Sequence, residues 1–360
     1  MTARFCGLEV GLSAWLDANA LSLDATGELA AELLPRLAGS GVLGVGVARD
    51  FGGEGGDVTD AVAAVAAASE RSLAAGLVLW GHRCYVEFLI RSPNRSLRES
   101  LLPDLLAGRS AGATGLSNAM KSLAGLEALQ IRASRQANRL MINGALPWVT
   151  NLRSQGFHVA VAVADERGRG AFVASLSGKD AGVERSADLE LMGLRGSNTA
   201  AIAVTNARVR AERIIHADAK AWLPAVRPAF LGMQCGLSIG LARRALGEAR
   251  TNLGSGRAML AEPIASLAAK LAEQETRLRE GLRAGVFQDR PAVLFRIRIA
   301  LAEIAAEAVG LELQAAGGRA YLTGPGAGFG RRWREAAFIP VITPSLVQLR
   351  TALAVQQSAA

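Results

Sequence analysis

The chain is short of side chains that take up and release a proton near neutral pH. Histidine, the residue whose unperturbed charge changes in that range, occurs only as His82, His158 and His216. His158 opens the apolar run His158-Val-Ala-Val-Ala-Val-Ala and is expected in a buried strand; His216 is expected at the surface. His82, in Trp80-Gly81-His82-Arg83-Cys84-Tyr85, is the candidate left for a direct role. Ser117 and Ser122 have no His/Asp word nearby that would make either a nucleophile, so a hydrolase triad is not expected. Cys6, Cys84 and Cys235 are odd in number and far apart, with neither Cys-x-x-Cys nor Cys/His ligand spacing. This argues against a disulfide framework and a zinc site, and for a reducing cytoplasm.

These residues must be positioned by a chain of 360 residues, 50% of them hydrophobic and 20% charged, which is enough for a large core in two or three domains. From Leu21 to about Ala111 the pattern is helical. Asp57 is the expected cap of Asp57-Val-Thr-Asp-Ala-Val, Leu73 to Arg91 reads as a buried helix, and Arg98 to Ala107 as another. The texture then changes. Leu129-Gln-Ile-Arg-Ala-Ser alternates as a half-buried strand does, and Asn143-Gly144 reads as the turn of a hairpin over Arg139–Asn151. Strands at 158–164, 171–176 and 199–209 follow. Helices return after Ala217, with long periodic segments at 223–252, 262–284, 291–316 and 344–358. The expected organisation is α+β: an all-α domain over 1–112, a β-barrel or sandwich over 113–216, and a four-helix bundle over 217–360.

The formal charge of +8 favours anionic partners such as phosphates. Arg243-Arg244 and Arg331-Arg332 are only pairs, so no nucleic-acid arm is expected. No basic start followed by an apolar run opens the chain, and no uninterrupted apolar stretch is read as long enough to span a membrane.

Several short words, in this order and setting, resemble those of the acyl-CoA dehydrogenases. Asn143-Gly144…Trp148-Val149-Thr150-Asn151 is similar to the family's N-G-x-K-x-W-I-T-N segment. Leu191-Met-Gly-Leu-Arg-Gly-Ser-Asn-Thr is similar to M-G-x-R-x-S-x-T. Arg250-Thr-Asn-Leu-Gly254 loosely matches R-x-x-F-G, Gln314-Ala-Ala-Gly317-Gly318-Arg-Ala-Tyr321 matches Q-x-x-G-G-x-G-Y, and Arg334-Glu335-Ala336 matches R-D-A. The resemblance covers roughly residues 40–350. It implies an acyl-CoA dehydrogenase-like fold and an FAD cofactor. Trp148 would cover the flavin ring and Thr150 would hydrogen-bond near its N5. Arg250, Gln314, Gly317 and Gly318 would lie against the pyrophosphate end of a flavin bound to a neighbouring subunit. A homodimer or homotetramer is therefore implied, or pairing with a paralogous subunit. The residue types agree with these roles. Residues two apart in a strand share a face, and a pyrophosphate needs close backbone approach and positive charge.

Three departures bear on the chemistry. The glutamate that the family carries after the R-D-A word is matched by spacing to Thr343, whose hydroxyl does not titrate near neutral pH. The segment Lys220–Gly247, where some relatives keep the base, contains no Asp or Glu. The family's T-E-P-x-x-G-S-D loop, which frames flavin and substrate, reads Leu116-Ser117-Asn118-Ala119-Met120-Lys121-Ser122-Leu123 here. Ser117 and Ser122 are its candidate pocket residues. The leading expectation is an FAD-dependent oxidoreductase acting on an acyl-CoA or other acyl-like small molecule, with an atypical or partner-supplied base. A flavin monooxygenase or oxidase on the same fold, and a non-catalytic subunit, are the alternatives.

Overall fold

Five helices come first: α1 (Val10–Ala25), α2 (Ala30–Gly39), α3 (Val58–Arg71), α4 (Leu73–Ile90) and α5 (Arg95–Leu106). The structure, a computed structural model, describes residues 5–123, 125, 127–136, 139–165 and 170–358. Asp57 caps α3 as expected. Its carboxylate accepts the Thr59 N–H at 2.7 Å, and Asp60 returns the favour to the Asp57 N–H at 2.9 Å, closing a capping box. Helix α4 is apolar on every side and buried from Leu73 to Leu89, so it forms the axis of the core. Each fully buried leucine in it contributes roughly 1.5–3 kcal/mol.

The middle of the chain is one mixed sheet. Its strands are β1 (Ala111–Thr114), β2 (Ile131–Gln136), β3 (Arg139–Val149), β4 (Phe157–Asp165), β5 (Ala171–Ser177), β6 (Val183–Asp188), β7 (Ala200–Val209) and β8 (Ile214–His216), with α6 (Ser117–Leu123) inserted after β1. The order is β6-β7-β3-β2-β4-β5-β8. Two strands share one edge of β4, both parallel to it: β1 pairs with Phe157–Ala160 and β2 with Val163–Asp165.

The expected turn at Asn143-Gly144 is not there. Both residues lie inside β3, at a register shift against β7. Gly144 has φ +145°, and a Cβ on it would fall 2.2 Å from the Gln130 carbonyl oxygen. The glycine is required by close backbone approach within a strand, which overrides the hairpin signal. Asn143 instead clasps Asn206 on β7, its Oδ1 accepting the Asn206 N–H at 2.8 Å.

The last part is helical: α7 (Ala219–Thr251), α8 (Ala261–Arg283), α9 (Val286–Asp289), α10 (Pro291–Ala316), α11 (Ala327–Phe338) and α12 (Leu346–Ser358). Helices α7, α8, α10 and α12 are the four expected ones. Helix α11 was not expected, because two glycines and three arginines obscure its period. It is held by non-local contacts and by one ion pair within the helix. Arg332 pairs with Glu312 of α10, and Arg331 pairs with Glu335, which also accepts the Leu73 N–H at 3.0 Å. Two segments, Leu73–Ile90 and Ala327–Gln356, are long and apolar enough to cross a membrane by length and composition, contrary to expectation. The first is the core helix α4, and the second is broken between Ile339 and Ser345.

Candidate active site

A cleft of about 390 Å³ opens where α4, the sheet and the segment after α11 meet. Each wall has a different origin. Leu77 and Trp80 come from α4, and Thr114, Ser117, Asn118 and Lys121 from β1 and α6. Leu146, Pro147, Trp148, Thr150 and Thr199 come from the sheet, and Phe338, Val341, Ile342 and Thr343 from the final segment.

The Trp148 word and the Ser197-Asn-Thr199 word meet here. Thr150 Oγ1 lies 3.2 Å from Thr199 Oγ1, which lies 2.7 Å from Ser197 Oγ. The backbones are tied as well: the Asn151 N–H donates to the Ser197 carbonyl at 3.0 Å. Asn151 takes φ +64° and is fully buried, with its Nδ2 donating to the Gly112 carbonyl at 2.8 Å. The Trp148 indole stands at the rim, 54% exposed, so it offers a flat apolar face rather than filling the core.

Asp24 links two further words that are distant in sequence. Its carboxylate is buried, accepts the Leu194 N–H at 2.9 Å, and receives Nε and Nη2 of Arg334 at 3.0 and 2.5 Å. The segment leading to the cleft is anchored separately. Arg298, fully buried on α10, donates from Nη2 to the Ile339 carbonyl at 2.8 Å and from Nε to Gln234 Oε1 at 2.9 Å. Gln234 then donates to the Thr343 carbonyl at 3.0 Å. Asp24, Gln234 and Arg298 were missed by sequence reading. A charged or amide residue within a helix carries no local pattern that announces such a contact.

Among the described residues no carboxylate or imidazole lines the cleft, and Lys121 is its one charged lining residue. Lys121 Nζ sits 2.6 Å from Glu127, whose carboxyl it holds below the usual range. His82, the candidate for a direct role, is not among the residues lining the cleft. Its ring is fully buried away from the cleft, with Nε2 donating to the Leu105 carbonyl at 3.0 Å and Nδ1 accepting the Gly112 N–H at 3.1 Å. Burial, reinforced by the Arg83 charge, lowers its pKa to about 3. Ser117 lines the cleft, whereas Ser122, on the same short helix, does not. Glu335 is buried under α4, and burial raises its pKa.

Arg250, Gln314, Gly317 and Gly318 are not among the residues lining this chain's cleft. They sit at an end of the bundle, where α7 and α10 terminate. Arg250, Gln314 and Gly318 are exposed, and Gly317 is half-buried. Gly317 has φ +65°, and a Cβ there would meet the Arg257 guanidinium at 2.5 Å, while Gly318 faces open space. Arg257 is exposed and was not singled out from the sequence.

These observations test whether the residues fit a flavin. The cleft supplies an apolar ring face and a hydroxyl chain. The bundle end supplies close backbone approach beside two exposed guanidiniums, suited to phosphates. Both ends fit, on separate surfaces of one chain. A second cleft, of about 510 Å³, lies between α3, α7 and α8. Among its lining residues Arg243 pairs with Glu275, Arg71 and Arg283 pair with Asp17 and Asp57 outside it, and none of the expected site residues lies on it.

Comparison with known proteins agrees with the geometry. Residues 13–109 match the family model described as acyl-CoA dehydrogenase, N-terminal domain. The chain is 27% identical over 191 residues to the mitochondrial isovaleryl-CoA dehydrogenase of Pongo abelii, covering 51% of this chain and 44% of that protein. The acyl-CoA dehydrogenase of Bacillus subtilis (strain 168) is 25% identical over 228 residues, covering 62% of this chain and 59% of that protein. The chain thus spans about half the length of the curated relatives it matches. Among solved structures, KijD3 in complex with FMN and dTDP-3-amino-2,3,6-trideoxy-4-keto-3-methyl-D-glucose superposes with a TM-score of 0.80 at 17% identity, over 97% of this chain and 91% of that one. That likeness concerns the fold.

Proposed function

The chain belongs to the acyl-CoA dehydrogenase superfamily, and from that premise we propose that it is an FAD-dependent oxidoreductase acting on an acyl-CoA or similar acyl substrate held in the Trp148 cleft. The observation that carries this reading is the convergence of Trp148, Thr150, Thr199 and Thr343 on one cleft. The flavin, once bound, supplies a hydride acceptor. Trp148 would cover one face of its ring, and the Thr150–Thr199 hydroxyls would orient it. Leu77, Trp80 and Phe338 exclude water from the space that remains. Arg250, Arg257, Gln314, Gly317 and Gly318 would hold the pyrophosphate end of the flavin in a partner copy, so a complete site needs an oligomer.

What this chain's cleft does not offer is a base. Thr343 stands where relatives place a glutamate, and its hydroxyl can donate or accept a hydrogen bond but cannot store a proton at working pH. Any proton taken from the substrate therefore goes to water, to the cofactor or to a paired subunit. The same observation favours a second reading, an oxygen-using flavoenzyme, whose chemistry needs no carboxylate beside the substrate.

The test is anaerobic mixing of flavin-loaded protein with saturated acyl-CoAs, followed by admission of O₂ to chemically reduced protein with and without candidate substrates. Little or no bleaching by the acyl-CoA is expected from the isolated chain. Rapid bleaching would overturn the base-free account of the cleft. Protein that takes up no flavin at all would overturn the oxidoreductase reading itself.

A further inference from the structure

The outer face of the sheet carries a stripe of four exposed arginines, of which, among the described residues, only Arg210 has an acidic partner. Arg132 on β2 pairs in register with Asn143 on β3. One row further, Ser134 pairs with Met141, which pairs with Arg208 on β7. In the next row Leu140 pairs with Val209, which brings Arg210 beside Arg139. Arg132, Arg139, Arg208 and Arg210 are all exposed. At strand spacings their backbones fall within roughly 15 Å of one another. Arg210 has Glu212 at 3.8 Å. Among the described residues no ion pair engages Arg132, Arg139 or Arg208, although arginines elsewhere commonly find one, as Arg95 does with Glu99 and Arg109 with Asp104.

Like charges side by side on a sheet repel, and among the described residues no ion pair offsets this at Arg132, Arg139 or Arg208. Protection of a sheet edge is not the explanation, because β2, β3 and β7 are interior strands. The stripe also has a direction. Gln130, which lines the cleft, stands two residues before Arg132, so the first arginine row lies about 7 Å from the cleft rim.

We propose that this stripe is a docking face for a partner protein that presents a cluster of carboxylates beside the mouth of the cleft. Three features favour an acidic protein surface over other anions. The guanidiniums are spread along an exposed strand face, and none of them lines a described cleft that would enclose a small phosphate. The residues between them are Asn143, Met141 and Ser134, which offer no aromatic platform for bases. A spaced array of exposed charges acts on orientation and encounter rate, as rim electrostatics do at protein interfaces.

The experiment uses the full flavin-loaded chain and fluorescently labelled poly-L-glutamate as the acidic probe, read by anisotropy at about 0.02 M and about 0.3 M salt. Unlabelled pyrophosphate and labelled oligothymidylate are the comparison anions. The variant Arg132→Gln/Arg139→Gln/Arg208→Gln is set against Arg95→Gln/Arg109→Gln/Arg350→Gln, which removes equal charge from exposed, ion-paired positions elsewhere. The stripe variant should bind poly-L-glutamate about tenfold or more weakly at low salt, and the control within about twofold of the parent. Equal losses in both variants would reduce the effect to net charge and overturn the proposal. So would oligothymidylate binding that depends on the stripe while poly-L-glutamate binding does not, or dissociation of the oligomer in the stripe variant, which would assign the face to a second copy. Thermal midpoints check that both triples fold; if the stripe triple does not, the single variants Arg132→Gln and Arg139→Gln are read by the same criteria.

Discussion

Gln234 and Thr343 are joined across the bundle: the amide of one donates to the carbonyl of the other at 3.0 Å, while Arg298 Nε donates to the same amide's oxygen at 2.9 Å. The loop that lines the cleft is thus held by its backbone, leaving the Thr343 side chain on the cleft wall.

Cutting this connection should be costly. Gln234→Leu leaves the Thr343 carbonyl and Arg298 Nε without partners in a buried setting, a loss of about 1–3 kcal/mol. Urea denaturation should show a lower midpoint at unchanged slope. An unchanged midpoint would mean that other contacts hold the segment.

Thr343→Val should leave native activity within about tenfold, or roughly 1.4 kcal/mol of barrier, because the hydroxyl stores no proton. Steady-state rates with bound flavin confirmed by absorbance decide this. A loss of several orders of magnitude would assign the hydroxyl a role in the reaction.

His82 gives the fold a pH dependence. Its folded pKa, about 3, lies below the unfolded value of 6.5. Below pH 6.5 the unfolded chain therefore binds the extra proton, and stability falls as pH drops from 6.5 toward 3, by up to about 1.4 kcal/mol per unit. His158, lowered by burial to about 4, adds to the slope down to that pH. His82→Gln keeps a donor and an acceptor and should flatten the slope while sparing activity at pH 8. An unaltered pH profile of the denaturation midpoint would contradict this.

Gly318→Asp tests the phosphate end. Nothing lies within 4 Å of a Cβ at this position, so the side chain fits without strain. What it introduces is a negative charge where the proposal places a pyrophosphate. Bound flavin per subunit should fall about tenfold or more with the fold intact. Full flavin occupancy in the variant would move the phosphate site elsewhere.

How much of this was legible follows from the range of the forces involved. Asp57 and the long helices α4, α7, α8 and α10 are announced by residues within a few positions of one another, and the sequence showed them. Trp148 and Thr150 share the cleft, yet strand alternation is not the reason: Thr150 lies in a turn just past β3, and Leu146, Pro147 and Trp148 line the cleft in succession. Helix α11 was not legible, since Arg331, Arg332 and Glu335 gain their meaning from Leu73 and Glu312. Asn143-Gly144 misled for a related reason: a strong turn signal gave way to a tertiary approach at Gln130. Thr343, which spacing alone singled out, does line the cleft.

Two neighbours on α4 face opposite ways. Trp80 reaches the bundle, its Nε1 donating to the Phe230 carbonyl at 3.2 Å, and His82 receives the Gly112 N–H from the first strand of the sheet. One rigid helix is therefore pinned to both halves of the molecule within a single turn. The gap between those halves behaves as a fixed gauge: prising them apart would break buried hydrogen bonds on both sides of α4. Passage into the cleft is then expected to depend on side chains at its rim, the half-exposed Trp148 among them, rather than on a swinging hinge.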